Sequence, residues 1–281
     1  MVLNKEELRR LQSIEVDMLK EFVRICNELQ LQYYVLGGTL LGAVRHNGFI
    51  PWDDDIDVGM PRKDYEVFLE KASDMLADGL FLQNNHTDKE YYKNITKIRN
   101  VNTTFIESEC RQQNIRHGVF VDIFPLDNYP IPYFSRVWLG FKRKILEWRI
   151  GKAFVWEVPN PVKRMLKKVM YTCLSWIWYE TSAAVEEREK LFSSFPSTGL
   201  IANFCGAWGE KEIVPAEWYG EGCELDFEGI KVRAPKEYHK WLTQVYGDYM
   251  ELPPKEKQVT HHDTTIIDLD RPYTDYTNRE E

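Results

Sequence analysis

Leu8, Leu11, Ile14, Met18, Leu19, Phe22, Ile25, Cys26 and Leu29 return at steps of three and four residues, with charged positions between them. That period lays apolar side chains along one stripe of a helix, so it predicts an amphipathic α-helix over residues 4 to 30. The pattern then shortens. "QYYVLGG" reads as a brief buried strand stopped by two glycines, "TLLGAVRHNG" as a short helix closed by Gly48, and "DIDVGM" as a second strand. Pro61 opens a helix through "RKDYEVFLEKASDML" that ends near Gly79. "LFLQ", "ITKIRN" and "TTFIES" predict three short strands joined by polar turns. "GVFVDIFPL", from Gly118 to Leu126, predicts another, with Asp122 alone among apolar neighbours.

Helix, strand, helix, strand, helix and then a group of strands predict an α/β (α+β) fold, a mixed sheet flanked by helices. The patterning changes after Pro130. From Arg136 to Lys168 ten Lys or Arg stand against two Glu, interleaved with Trp138, Phe141, Trp148, Phe154 and Trp156. Three segments follow: a core over 1–130, a basic and aromatic helical insertion over 131–195, and a C-terminal segment over 196–281. The stretch from about 133 to 178 has two readings, a helical insertion with a solvated basic face or an interfacial surface for anionic lipid. The final stretch, from "YGDYMELPP" onward, is loop-rich and polar and reads as unlike a packing segment.

Composition narrows the class. An apolar fraction of 43%, with nine Trp and fifteen Tyr, excludes a disordered chain, and 281 residues suffice for a sizeable core. A net charge of -8 argues against a general nucleic-acid binder, which needs a basic surface for phosphates. The cysteines at 26, 110, 173, 205 and 223 are odd in number and form no C-x-x-C pair, so neither a zinc ribbon nor a disulfide framework is expected. Charges throughout the first 22 residues do not read as a secretory signal. No apolar run reaches the roughly 20 residues a spanning helix needs. The expected location is cytoplasmic, with peripheral contact at the inner face of the plasma membrane if the basic stretch binds lipid.

"WDDDIDVGM", residues 52 to 60, concentrates four aspartates in five positions beside residues that want burial. Carboxylates so close repel one another and lose hydration unless a cation compensates them. Asp55 and Asp57, one residue apart on a strand, point to the same face and can share an ion. Asp53 and Asp54 precede them in a turn set by Pro51, serving either the surroundings of the ion or the turn alone. An EF-hand fails, because Val58 stands where glycine is needed and Asp64 where glutamate is needed. Oxygen ligands without adjacent His or Cys favour Mg²⁺, with Mn²⁺ as the alternative. Such pairs occur in nucleotide-sugar glycosyltransferases and in nucleotidyltransferases. Gly37 and Gly38 followed by Thr39 at a helix start offer backbone N–H groups and a hydroxyl to phosphate. Together with Asp122 as a third acid from a later strand, they favour the second class.

"GGTLLGAVRHNGFIPWDDDIDVGMPRKDYEVFL", residues 37 to 69, resembles the signature of the LicD family, which includes bacterial phosphocholine transferases and is related to fukutin-type ribitol-phosphate transferases. "TKIRNVNTTFIE", "GVFVDIFPLD" and "YGDYMELPP" resemble further family blocks in the expected order. The resemblance implies a nucleotidyltransferase-like core with extra helices and a phosphoryl-alcohol moved from a cytidine-diphosphate donor, CDP-choline or a related CDP-alcohol, to a glycan hydroxyl. The acceptor it implies is a lipid-linked cell-wall or surface precursor, of teichoic-acid or lipopolysaccharide type.

In that chemistry Asp55, Asp57 and Asp122 hold Mg²⁺, and Asp122 also takes the acceptor proton. Lys97 and Arg99 share one strand face and meet the pyrophosphate, or are exposed strand charges without a role. Arg45 either serves similarly or lies on a helix surface. Trp52 is a loop anchor or a ligand contact. His261 and His262 are further ligand candidates, and the segment from Tyr246 to Pro254 is expected to reach the base. A choline headgroup needs an aromatic cage, because a quaternary ammonium donates no hydrogen bond. Rival readings keep the site with CDP-ribitol, CDP-glycerol or a nucleotide sugar as donor, or discard catalysis for a non-catalytic glycan- or lipid-binding protein.

Overall fold

A computed structural model of the chain describes residues 3–151, 160–173, 181–260 and 262–276. Helix α1, Lys5–Glu28, opens on a capping box: the Asn4 side chain accepts from the Glu6 and Glu7 N–H groups, and Glu7 accepts from the Asn4 N–H. Its apolar stripe is buried, as its period predicts. The chain continues through β1 (Tyr34–Val35), α2 (Gly37–His46), β2 (Asp57–Pro61), α3 (Arg62–Lys71), β3 (Leu80–Gln83), β4 (Thr96–Asn100), β5 (Thr104–Glu107) and β6 (Val119–Asn128).

The expected order of elements is present, with shifted boundaries. The two glycines do not end a strand before the helix; they are its first residues, with Gly37 at φ +52°. Asn47 in the left-handed conformation closes α2 rather than Gly48. Gly48 has a different task, since a Cβ there would stand 2.4 Å from the Glu228 carboxylate. The second strand begins at Asp57 and not at Asp55, so Asp55 reaches the site from the loop ahead of the ladder.

The sheet runs β1-β2-β6-β4-β3, with β2 and β6 parallel and the other neighbours antiparallel. The far end of β6 continues into β7 (Leu200–Ala202) and β8 (Ile213–Pro215). Helices α4 (Tyr133–Ile150), α5 (Pro161–Cys173) and α6 (Thr181–Ser193) lie between β6 and β7. Helix α4 packs on α6 through Leu146 and Ile150 against Ala184 and Val185. Arg62 ties α6 to the sheet: its guanidinium forks onto Asp127 at 2.6 and 2.7 Å and also pairs with Glu189.

After β8 come α7 (Ala216–Tyr219), the hairpin of β9 (Cys223–Phe227) and β10 (Ile230–Ala234), and α8 (Tyr238–Tyr246). The tail does more than its polar sequence suggests. Thr264–Asp268 forms β11, an antiparallel partner of β5, and Ile267 and Leu269 pack against the core. Alternation across that strand is masked by a register shift between Thr264 and Ile266, so period two is not visible in the sequence. Among the described residues no helix is long and apolar enough to cross a membrane.

Candidate active site

Strand register builds the centre of the site. Asp57 on β2 stands opposite Asp122 on β6, Asp122 opposite Lys97 on β4, and Lys97 opposite Gln83 on β3. Residues in register share a face of the sheet, so four polar side chains form one row across four strands. Lys97 is fully buried and ion-paired to Asp122 at 2.9 Å. Burial lowers its pKa, opposed by Asp122 and Glu107. Arg99, two residues along the same face, has a different environment. Its Nε donates to Gln83, one Nη to the Gly118 carbonyl and the other to Glu107. The guanidinium is fully buried and engaged inside the protein, which places it behind Lys97 and not at a donor phosphate. Neither residue is an exposed strand charge. Glu107 is held well below the usual carboxylate range: burial would raise it, but Lys97, Lys93 and Arg99 outweigh that.

The N-terminus of α2 approaches the carboxylates so closely that only glycine fits. A Cβ at Gly37 would lie 2.8 Å from the Asp57 carboxylate, and one at Gly38 would lie 2.3 Å from that of Asp53. The Thr39 hydroxyl accepts from the Asp57 backbone N–H at 2.8 Å, fixing the start of β2 against the helix. Arg45, at the other end of α2, donates to the carbonyls of Tyr249 and Glu251. It fastens the segment after α8 through one of its guanidinium nitrogens. Trp52 packs against the core as a loop anchor.

Glu15 is the residue the sequence reading missed. It lies on the buried stripe of α1, 1% exposed, and its pKa is pushed well above the usual range by burial and then by Asp55, Asp54, Asp53 and Asp122. Gln12, one turn earlier, donates to the Asp53 carbonyl at 2.9 Å. The signal was present: Gln12 and Glu15 are polar residues at positions where the helical period demands apolar ones.

The site is a field of like charge. Burial first, then neighbouring carboxylates, raise Asp53 and Asp57; burial also raises Asp55, against the pull of His262. His262 rests edge-on between Phe105 and Phe120 and bonds to Asp54 at 3.2 Å. Burial opposes its protonation, but the hydrogen bond to Asp54 and the charges of Asp55 and Asp54 outweigh that and raise it to about 9. His261 lies outside the described residues. Lys97 and His262 thus face Glu15, Asp53, Asp54, Asp55, Asp57 and Asp122. Buried Glu15 Oε2 and Asp53 Oδ2 lack a hydrogen-bond partner.

Excess buried negative charge with orphaned oxygens suits a divalent cation. Asp54, Asp55 and His262 bring ligand atoms within 4.8 Å of one another, whereas Asp57 and Asp122 stand outside that group. Tyr246, at the end of α8, lies in the field of Asp57 and Asp53 after its own burial, and these raise its pKa. Trp208 meets it edge-on, ring centroids 4.8 Å apart, and is itself 43% exposed.

Two comparisons bear on this arrangement. Residues 30–154, which carry the whole Asp57–Asp122–Lys97 row, match the model of the LicD/FKTN/FKRP nucleotidyltransferase domain. Over 283 aligned positions the chain is 30% identical to the lipopolysaccharide cholinephosphotransferase LicD of Haemophilus influenzae, covering 92% of this chain and 97% of that one. A shorter stretch of 34 residues is 50% identical to the human ribitol 5-phosphate transferase FKRP, 12% of this chain and 7% of that one.

Proposed function

This chain belongs to the LicD/FKTN/FKRP family, and from that premise we propose that it is a phosphocholine transferase acting from CDP-choline on a hydroxyl of a lipid-linked surface glycan. The observation that carries the reading is the row of Asp57, Asp122 and Lys97 beneath the glycine-opened end of α2, within a chain similar over its length to a cholinephosphotransferase.

Asp55, Asp57 and Asp122 would hold Mg²⁺, with Asp54, gathered beside Asp55, as a further oxygen ligand, and the ion when bound neutralises the charge of the pyrophosphate. The chain's own groups do the rest. The N-terminal end of α2 faces the donor with its backbone N–H groups. Asp122 receives the acceptor proton, and its ion pair with Lys97 orients that carboxylate. The acceptor oxygen forms a bond to the phosphocholine phosphorus as the bond from that phosphorus to the CMP oxygen breaks, and CMP leaves. Trp208 and Tyr246 supply aromatic faces for the trimethylammonium group beside Asp57.

The test is CMP release from CDP-choline with Mg²⁺ and a lipopolysaccharide or teichoic-acid precursor. Trp208→Ala is expected to raise KM for CDP-choline and leave that for CDP-ribitol unchanged. Faster turnover of CDP-ribitol by the parent protein would favour the ribitol-phosphate reading, which the short stretch shared with ribitol 5-phosphate transferase supports.

A further inference from the structure

Helix α5 leaves its apolar side chains exposed among the described residues. Val162, Met165, Leu166 and Val169 follow at i, i+3, i+4 and i+7, and each is between 54 and 61% exposed. Of its residues only Tyr171 is described as buried, its hydroxyl donating to the Trp148 carbonyl of α4 at 2.9 Å. Lys163, Arg164, Lys167 and Lys168 flank the apolar stripe, and the helix contains no acid. Helix α4 repeats the theme. Leu139, Leu146 and Ile150 are buried, whereas Phe134, Val137, Trp138 and Phe141 are each more than half exposed. An apolar stripe exposed to water gives the described part of the fold no packing, and a pattern of this kind calls for an occupant.

We infer that α5, with the exposed face of α4, is an interfacial surface that docks the protein on an anionic lipid bilayer. Charge selects this occupant. Two copies joined through α5 would bring eight cations together with no acid from either helix. An anionic headgroup layer meets four cations whose long stems let the charges reach the phosphates while Met165 and Leu166 enter the acyl boundary. Trp and Phe side chains are also at home at that depth. A chain of net charge -8 needs such a local positive face to approach an anionic surface at all. The inference stands on exposure and charge and is independent of the donor.

The experiment is sedimentation of the full chain with vesicles of phosphatidylcholine alone or of phosphatidylcholine and phosphatidylglycerol, at low and high salt. Binding is expected to be at least about tenfold stronger to the anionic vesicles and to fall as salt rises. Changing Lys163, Arg164, Lys167 and Lys168 together to Gln should remove that preference. Met165→Gln with Leu166→Gln should weaken binding at every salt concentration. Lys163, Met165, Leu166, Lys167 and Lys168 are exposed and Arg164 is half-exposed, so the melting temperature of both variants is expected to stay close to the parent's, which separates loss of docking from loss of fold. Equal partition into both vesicle types, or full binding by the four-site variant, overturns the inference. So does a concentration-dependent dimer that the Met165 and Leu166 changes dissolve, which would assign the face to a second copy.

Discussion

Asp57 and Asp122 occupy matched positions on two adjacent parallel strands, so two carboxylates stand side by side within the sheet, and Lys97 extends the row beyond Asp122. The pairing is unfavourable for the empty protein and useful to a site that binds a cation. Asp57→Asn removes a carboxyl whose ionisation is opposed by burial and then by Asp55, Asp122 and Asp53. In the absence of divalent ions it is expected to increase the melting temperature by a few degrees, as relief of about 1 kcal/mol would do. CMP release should fall about a hundredfold or more, because an amide is a poor ligand for Mg²⁺. Calorimetry in EDTA and a CMP assay check both. An unchanged rate would remove Asp57 from the transfer machinery.

Arg99 and Lys97 look equivalent in the sequence and are not. With all three donor groups of Arg99 engaged by Gln83, Gly118 and Glu107, Arg99→Met leaves polar partners stranded in the interior. The expected cost is about 3–5 kcal/mol in urea unfolding. Arg99→Lys, which keeps the charge and loses the fork, should cost less. The KM for the donor in either folded variant is expected to stay at the parental value. A selective rise in KM would mean that Arg99 touches the pyrophosphate after all.

Glycine substitutions distinguish a close approach from mere flexibility. Gly38→Ala puts a methyl group 2.3 Å from the Asp53 carboxylate, so either α2 or the aspartate loop must move. Strain of about 1–3 kcal/mol and a large loss of transfer activity are expected. Gly140→Ala in α4, where a Cβ would meet nothing within 4 Å, should instead stabilise by about 0.5–1 kcal/mol. Thermal unfolding of the two variants side by side reads the difference directly.

The sheet and its flanking helices were legible because α1 repeats a period of three to four and the strands are short apolar runs bounded by turn residues. The acids Asp55, Asp57 and Asp122 stood out for the same reason, as charges inside apolar runs. Glu15 was overlooked, although it breaks the stripe of α1 in the same way, because the stripe's neighbours on both sides sufficed to define the helix. Strand β11 was illegible: "TTIID" is short, and its bulge cancels the alternation. The place of Arg99 could not be read at all, since its partners Gln83, Glu107 and Gly118 come from three separate segments. For α4 and α5 the sequence left burial against exposure open, and only the tertiary structure shows which aromatic side chains the core takes.

Glu212 gives the clearest pH dependence. It is 3% exposed, and burial raises its carboxyl to about 7, opposed by hydrogen bonds from the Trp208 N–H and the Asn203 amide. The unfolded chain ionises this group near 4.5. Its folded pKa is therefore the higher of the two, and the unfolded state loses the proton first as pH rises. The contribution of Glu212 to stability is fully present below pH 4.5 and is lost as pH climbs to about 7, a change on the order of 3 kcal/mol. Glu212→Gln cannot titrate, but its amide replaces one of two oxygens that accept hydrogen bonds. The variant is expected to be less stable than the parent at pH 4.5, to gain on it steadily up to about pH 7, and to keep a constant difference above about pH 8. Urea unfolding of both proteins in EDTA across that range isolates this one group, because every other acid is common to the pair. A stability difference that does not vary with pH would mean that Glu212 is ionised in the folded protein throughout, and that its hydrogen bonds outweigh its burial.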